Sequence, residues 1–130
     1  MTVKKKEQFQ YSDRTYTRAE RAICCTSFQL DLFTAMIHQS VPLPTIAEQR
    51  GVENGYSQKP LTESAAEAQL MWLIQVGLLR REVDGQGLTD SFRLTPLGRE
   101  IINKFKKTHK SLPKPSGLDR FKNWLSHWLR

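Results

Sequence analysis

Residues 73–100, LIQVGLLRREVDGQGLTDSFRLTPLGRE, decide how this chain folds. Gly77 interrupts an apolar helical pattern where a left-handed cap would end a helix, and Leu78 is apolar where the chain must rejoin a core. Two short runs follow, Leu78 to Val83 and Ser91 to Thr95. They are parted by Asp84-Gly85-Gln86-Gly87 and predict a β-hairpin with a loop of several residues. Thr95-Pro96 then opens a helix, because threonine caps and proline suits the first helical position. Leu97, Ile101, Ile102 and Phe105 supply its apolar stripe.

Upstream, Ala66, Leu70, Leu73, Ile74 and Gly77 mark the inner face of a helix over 62–76. Thr62 or Ser64 caps it, and Ser64 with Glu67 fits the capping box. Gly51 to Pro60 holds too many turn residues for regular structure. Before it, Pro44 opens a short helix from Thr45 to Arg50, with Gly51 placed as its cap. Val41-Pro42-Leu43-Pro44 ends an earlier helix. From Thr17 to Gln39 the residues Ala22, Ile23, Thr26, Leu30, Phe33 and Ile37 recur at helical spacing and predict one long helix. Residues 1–12, with Lys4 to Lys6, read as a basic flexible arm, 13–110 as the folded domain and 111–117 as a proline-rich linker. In the terminal segment 118–130, Leu118, Phe121, Leu125, Trp128 and Leu129 share one helical face, which predicts an amphipathic helix.

The 130 residues suffice for one modest core, and 38% hydrophobic with 25% charged residues is the make-up of a globular chain. A formal net charge of +7 favours anionic partners. The two cysteines, Cys24 and Cys25, are adjacent, a spacing that strains a mutual disulfide, so a reducing, cytoplasmic setting is expected with the thiols as small buried hydrophobes. No apolar run approaches the roughly 20 residues of a bilayer span, and no apolar stretch follows the N-terminal lysines. Three scattered histidines and a Cys-Cys pair offer no metal-ligand spacing. No glycine-rich phosphate loop or nucleophile constellation is present, so neither cofactor nor catalysis is expected.

The order helix, short helix, helix, hairpin, helix resembles the winged helix-turn-helix. Two passages carry the likeness. Leu73-Ile74-Gln75-Val76-Gly77-Leu78-Leu79-Arg80-Arg81 is similar to the passage from recognition helix into wing. Phe92-Arg93-Leu94-Thr95-Pro96-Leu97-Gly98-Arg99-Glu100 resembles the second wing strand and following helix of regulators of the MarR, PadR and HxlR type. The resemblance implies an α+β, mostly α, fold: a winged helix-turn-helix with a two-stranded wing and an extra C-terminal helix. It also implies a small transcriptional regulator that binds double-stranded DNA.

In that docking the 62–76 helix enters the major groove while wing cations meet phosphates. Lys59, Thr62, Ser64, Gln69, Arg80, Arg81 and Arg93 are then the nucleic-acid candidates. The 62–76 helix departs from the pattern, since it holds Glu63 and Glu67 and no Lys or Arg. Arg80, Arg81 and Arg93 are accordingly expected to matter most for affinity. The alternative is a protein-interaction module, with Trp72, Phe121, Trp124 and Trp128 as partner contacts. Trp72 is read two ways, as an exposed partner contact or as a core residue. For the terminal helix, self-docking or a homodimer through the first and last helices is favoured over lying on a membrane.

Overall fold

In the computed structural model residues 12–108, 112 and 117–129 are described, the last stretch without the side chains of 118, 119 and 126–129. The first helix, α1, runs Asp13–Cys24, its N-terminus capped by the Ser12 hydroxyl, which accepts from the Thr15 amide at 3.0 Å. Ala19, Ala22 and Ile23 face the core, whereas Arg14, Arg18 and Arg21 recur at i, i+4 and i+7 on another face. The second helix, α2, runs Leu30–His38.

The single long helix expected over 17–39 is therefore two helices. Between them the backbone groups find partners elsewhere. The Ser27 amide donates to Gln69 Oε1 at 2.9 Å and the Gln29 amide to the Tyr56 carbonyl at 2.9 Å, while Phe28 bridges to Ser57. Helical spacing of apolar residues survives because both helices bury theirs in one core, Ile23 with Phe28, Leu32 and Phe33. Periodicity reports the common buried face and does not detect the break.

Val41–Pro42 form strand β1, two short helices follow, α3 over Leu43–Ile46 and α4 over Glu48–Glu53, and α5 spans Glu63–Gln75. The hairpin strands β2, Leu79–Asp84, and β3, Gly87–Leu94, lead into α6 over Pro96–Thr108 and α7 over Gly117–Leu129. The sheet has three antiparallel strands in the order β1-β3-β2. Its third member lies outside the expected two-stranded hairpin and adds an edge to it: Val41 pairs with Phe92 and Pro42 with Ser91. Pro42 has no amide to donate, and an edge strand is where a sheet tolerates that. The hairpin is also tighter than expected, since Asp84 pairs with Gly87 and only Gly85 and Gln86 lie between. The Asp84 carboxylate accepts from the Gln86 amide at 2.7 Å, a local bond that closes the turn.

Gly51 does not cap a helix ending at Arg50. It lies buried inside α4, where a Cβ would stand 1.8 Å from the Ile46 carbonyl oxygen, so the residue permits α4 to cross the end of α3. At α5 the cap is Thr62, whose hydroxyl accepts from the Ala65 amide at 3.0 Å. Ser64 is exposed inside the first turn, so the Ser64-Glu67 capping box does not form.

Gly77 does take a left-handed conformation at the end of α5, φ 89°, with the Leu78 amide donating to the Leu73 carbonyl at 2.9 Å. Thr95 then ties two helix ends together. Its hydroxyl donates to the Gly77 carbonyl at 2.6 Å and accepts from the Gly98 amide at 3.0 Å, capping α6.

Helices α1 and α6 meet along a seam closed by an ion pair between Lys104 and Glu20, with the Lys104 ammonium 5.3 Å from the centre of the Tyr16 ring. Burial raises the Tyr16 phenol above its ordinary pKa, and the hydrogen bond to Glu20 raises the Lys104 ammonium above its own. The folded chain thus holds both protons more tightly than the unfolded chain. Their contribution is fully present below about pH 10 and is lost as pH rises through the folded values. Thermal melts across the alkaline range are expected to show Tm falling for the parent chain, with a shallower slope for a Tyr16→Phe, Lys104→Met double variant.

Candidate interaction surfaces

The solvent face of α5 consists of Glu63, Ser64, Ala65, Ala68, Met71 and Gln75, with Glu67 half-buried beside them. Two carboxylates and no cation stand where phosphate-binding side chains would be needed. Next to this face rises the hairpin. Along β2 the side chains of Leu79 and Arg81 share a side, because successive residues of a strand alternate, and the pairing shifts register between Arg81 and Val83. Arg81 lies over the Phe92 ring, 4.8 Å from its centre, and reaches Glu67 Oε2 at 3.4 Å and the Met71 sulfur at 3.1 Å. A third hydrogen bond runs from Arg81 to the Thr89 carbonyl at 3.1 Å.

Beyond Arg81 the hairpin turns apolar and acidic. Val83 and Leu88 are cross-strand partners and are 56% and 74% exposed. The run 82–90 carries Glu82, Asp84 and Asp90 and neither lysine nor arginine. Met71, itself 40% exposed, continues the apolar surface onto α5 across the Arg81 stem.

The predicted nucleic-acid residues therefore fall in quite different settings. Lys59, Ser64 and Arg80 are exposed. Thr62 is occupied as the α5 cap. Gln69 faces inward, its Oε1 accepting from the Ser27 amide at 2.9 Å and its Nε2 donating to the Ser27 hydroxyl at 3.1 Å, which joins α5 to the α1–α2 turn. Arg93 is paired with Glu82 at 3.1 Å, so two of the three hairpin-base arginines are neutralised by carboxylates within the fold.

Of the partner candidates, Trp72 is only 7% exposed, and its indole N–H donates to Asn123 Oδ1 of α7 at 3.1 Å. It is the seat of the chain's own last helix, which packs against α1. Phe121 and Trp124 are 54% and 53% exposed, with ring centres 6.1 Å apart and planes tilted by 31°. The Trp128 side chain lies outside the described residues.

A cavity of about 200 Å³ opens between α1, α5 and α7, lined by Ala22, Cys25, Gln69, Trp72 and Asn123 among others. The amides of Gln69 and Asn123 that face it already hydrogen-bond to Ser27 and Trp72, so the wall is mainly apolar. Cys24 and Cys25 are half-buried thiols, not joined by a disulfide.

Charge is divided by element. Helices α1, α6 and α7 carry nine Lys or Arg (Arg14, Arg18, Arg21, Arg99, Lys104, Lys106, Lys107, Arg120, Lys122) against four acids, Asp13, Glu20, Glu100 and Asp119. Residues 48–94, which hold α4, α5 and the hairpin, carry seven acids (Glu48, Glu53, Glu63, Glu67, Glu82, Asp84, Asp90) against five cations, Arg50, Lys59, Arg80, Arg81 and Arg93. The excess positive charge of the chain thus sits away from α5 and the hairpin tip.

Met71, Val83 and Leu88 are not among the residues that the sequence singles out. A signal is present in Val83 and Leu88, two apolar residues flanking the Asp-Gly-Gln-Gly turn with no buried surface available to them at a hairpin end. Asn123, two residues from Phe121 and so on nearly the opposite side of the helix, ties α7 to Trp72 of α5.

The architecture is α+β and mostly helical, with one small three-stranded antiparallel sheet. This chain belongs to the Npun_F0494-like family, whose model matches residues 9–127. No curated protein and no solved structure matches it. Among the described residues no group of three or more His, Cys, Asp or Glu side chains is placed to hold a metal ion, and no helix is long and apolar enough to cross a membrane.

Proposed function

We propose that this chain is a non-catalytic winged-helix module that docks a protein partner through α5 and the end of its hairpin. The winged-helix part of the reading is supported by the order α1, α2, β1, α3, α4, α5, β2, β3, α6 and by β1 closing on the far side of β3. In this scheme α5 is the second helix of the helix-turn-helix and the hairpin is the wing. The binding part rests on one observation. The wing end exposes an apolar cross-strand pair, Val83 and Leu88, within a run that has three carboxylates and no cation.

A duplex presents one negative charge about every 1.7 Å, and proteins that hold it neutralise phosphates with lysine and arginine. Glu67 and Glu82 are taken up by Arg81 and Arg93, which leaves Glu63, Asp84 and Asp90 to face those phosphates in the usual docking, and like charges so placed oppose binding. A protein surface with apolar side chains rimmed by cations complements the same face. Complete burial of an exposed Val or Leu is worth about 1.5–3 kcal/mol, and Val83 and Leu88, 56% and 74% exposed, offer a corresponding part of it. The partner is such a protein, with double-stranded DNA as the competing reading.

Fluorescence-anisotropy titration of the full chain against duplex DNA, random and genomic, at two salt concentrations separates the two. Weak binding that vanishes at the higher salt, and is unchanged when Arg80, Arg81 and Arg93 are replaced by alanine, is the expected result. Submicromolar, fragment-selective binding that survives the salt and is lost in the arginine variant would establish the DNA reading instead.

A further inference from the structure

We infer that the face formed by α7, with Phe121 and Trp124 at its centre, is a docking surface for an anionic lipid membrane, whatever the hairpin binds. Asn123 accepts from the Trp72 indole at 3.1 Å, and at about 100° per residue Asn123 lies nearly opposite Phe121 around the helix. The helix therefore meets α5 through a polar residue and turns aromatic ones outward. More than half of the Phe121 and Trp124 surfaces is open to solvent, while Leu125 is half-buried, so among the described side chains of α7 it is the two aromatic ones that stand outward.

Charge selects the occupant. Arg120 and Lys122 flank Phe121 and are exposed. A two-fold homodimer would set this face against itself and bring cation against cation. The two rings touch each other and so do not stand apart as platforms on which successive bases stack. Aromatic side chains beside Lys and Arg on a short helix are the make-up of an interfacial segment, which sinks its rings to the headgroup level while its cations meet anionic headgroups. A helix of 13 residues is a weak anchor alone, but Arg120 and Lys122 on the same helix add the second signal that stable attachment needs.

Flotation of the full chain with large vesicles tests this, comparing phosphatidylglycerol–phosphatidylcholine mixtures with phosphatidylcholine alone. Partitioning at least about tenfold stronger onto the mixed vesicles is expected, shrinking as salt is raised. A Phe121→Ala, Trp124→Ala variant, both sites being half-exposed and tolerant of truncation, is expected to lose about tenfold while keeping its circular dichroism spectrum. Leu88→Asp is expected to partition like the parent chain. Equal partitioning onto both vesicle types, or undiminished partitioning of the aromatic variant, would overturn the inference. So would self-association in sedimentation that the aromatic variant abolishes without any vesicle binding, since that would give the face to a second copy.

Discussion

Phe92→Ala is expected to destabilise the chain by about 3–5 kcal/mol, more than the truncation of any other side chain in the sheet. Phe92 is fully buried on the central strand, opposite Val41 of β1 on one side and Arg81 of β2 on the other. Its ring also carries the Arg81 guanidinium at 4.8 Å. Removing the ring opens a cavity beneath the sheet and takes away the surface on which Arg81 rests. β1 is only two residues long and has little else to hold it. Against the roughly 5–15 kcal/mol typical of a domain, such a loss leaves a marginal fold. Chemical denaturation should show a lower midpoint with a Tm about 10–20 °C below the parent. A change under about 1 kcal/mol would mean that the sheet is not organised around this residue.

Gly51→Ala is the second large effect, at about 3 kcal/mol or more. The added methyl would meet the Ile46 carbonyl oxygen at 1.8 Å, and neither party can yield easily, because one is helix backbone and the other ends the preceding helix. Overpacking against a flexible side-chain tip is relieved by a rotamer change, which is not available here. Gly55→Ala provides the comparison. There the nearest atom, Asp31 Oδ2, is 3.4 Å from the new Cβ, and the cost is chiefly the left-handed conformation, φ 78°, at about 1 kcal/mol. Equal losses at the two positions, measured by chemical denaturation, would show that α3 and α4 cross more loosely than these distances imply.

Both effects bear on what can be read from sequence. Local chemistry is legible wherever a single residue type answers a backbone demand. Gly77 ends α5, Thr95-Pro96 opens α6, and the apolar stripe Leu97, Ile101, Ile102, Phe105 is buried. What escapes depends on residues distant in sequence. The break between α1 and α2 is made by Gln69 and Tyr56, 42 and 27 residues beyond the amides they bind. Strand β1 exists because Phe92 and Ser91 offer an edge to Val41 and Pro42. Gly51 reads as a cap because a glycine after a helical run most often is one, while its actual task, close approach to Ile46, leaves no local trace.

Surfaces are legible only in part, for a related reason. A charge in sequence has no sign of being engaged, and Arg81 and Arg93 look like free wing cations until Glu67 and Glu82 are seen beside them. Likewise Trp72 is open to two readings, and its hydrogen bond to Asn123 gives it to the chain's own last helix. Exposed apolar residues at the hairpin end are easily passed over because their neighbours in sequence are turn formers and acids. The acidic and apolar hairpin end and the aromatic α7 face with its flanking cations give the molecule two chemically different surfaces on separate elements. An adaptor that meets a protein with one and a negatively charged surface with the other would use both.

Whether the hairpin end meets protein or nucleic acid can be tested at the residue concerned, by installing a photo-crosslinking phenylalanine analogue in place of Leu88 and irradiating living cells. A wing that docks protein gives a discrete, protease-sensitive and nuclease-resistant adduct, which a further Val83→Asp change abolishes. A nuclease-sensitive adduct, or none from this position while exposed Lys59 or Arg80 crosslinks to nucleic acid, would assign the wing to nucleic acid and refute the protein-docking function.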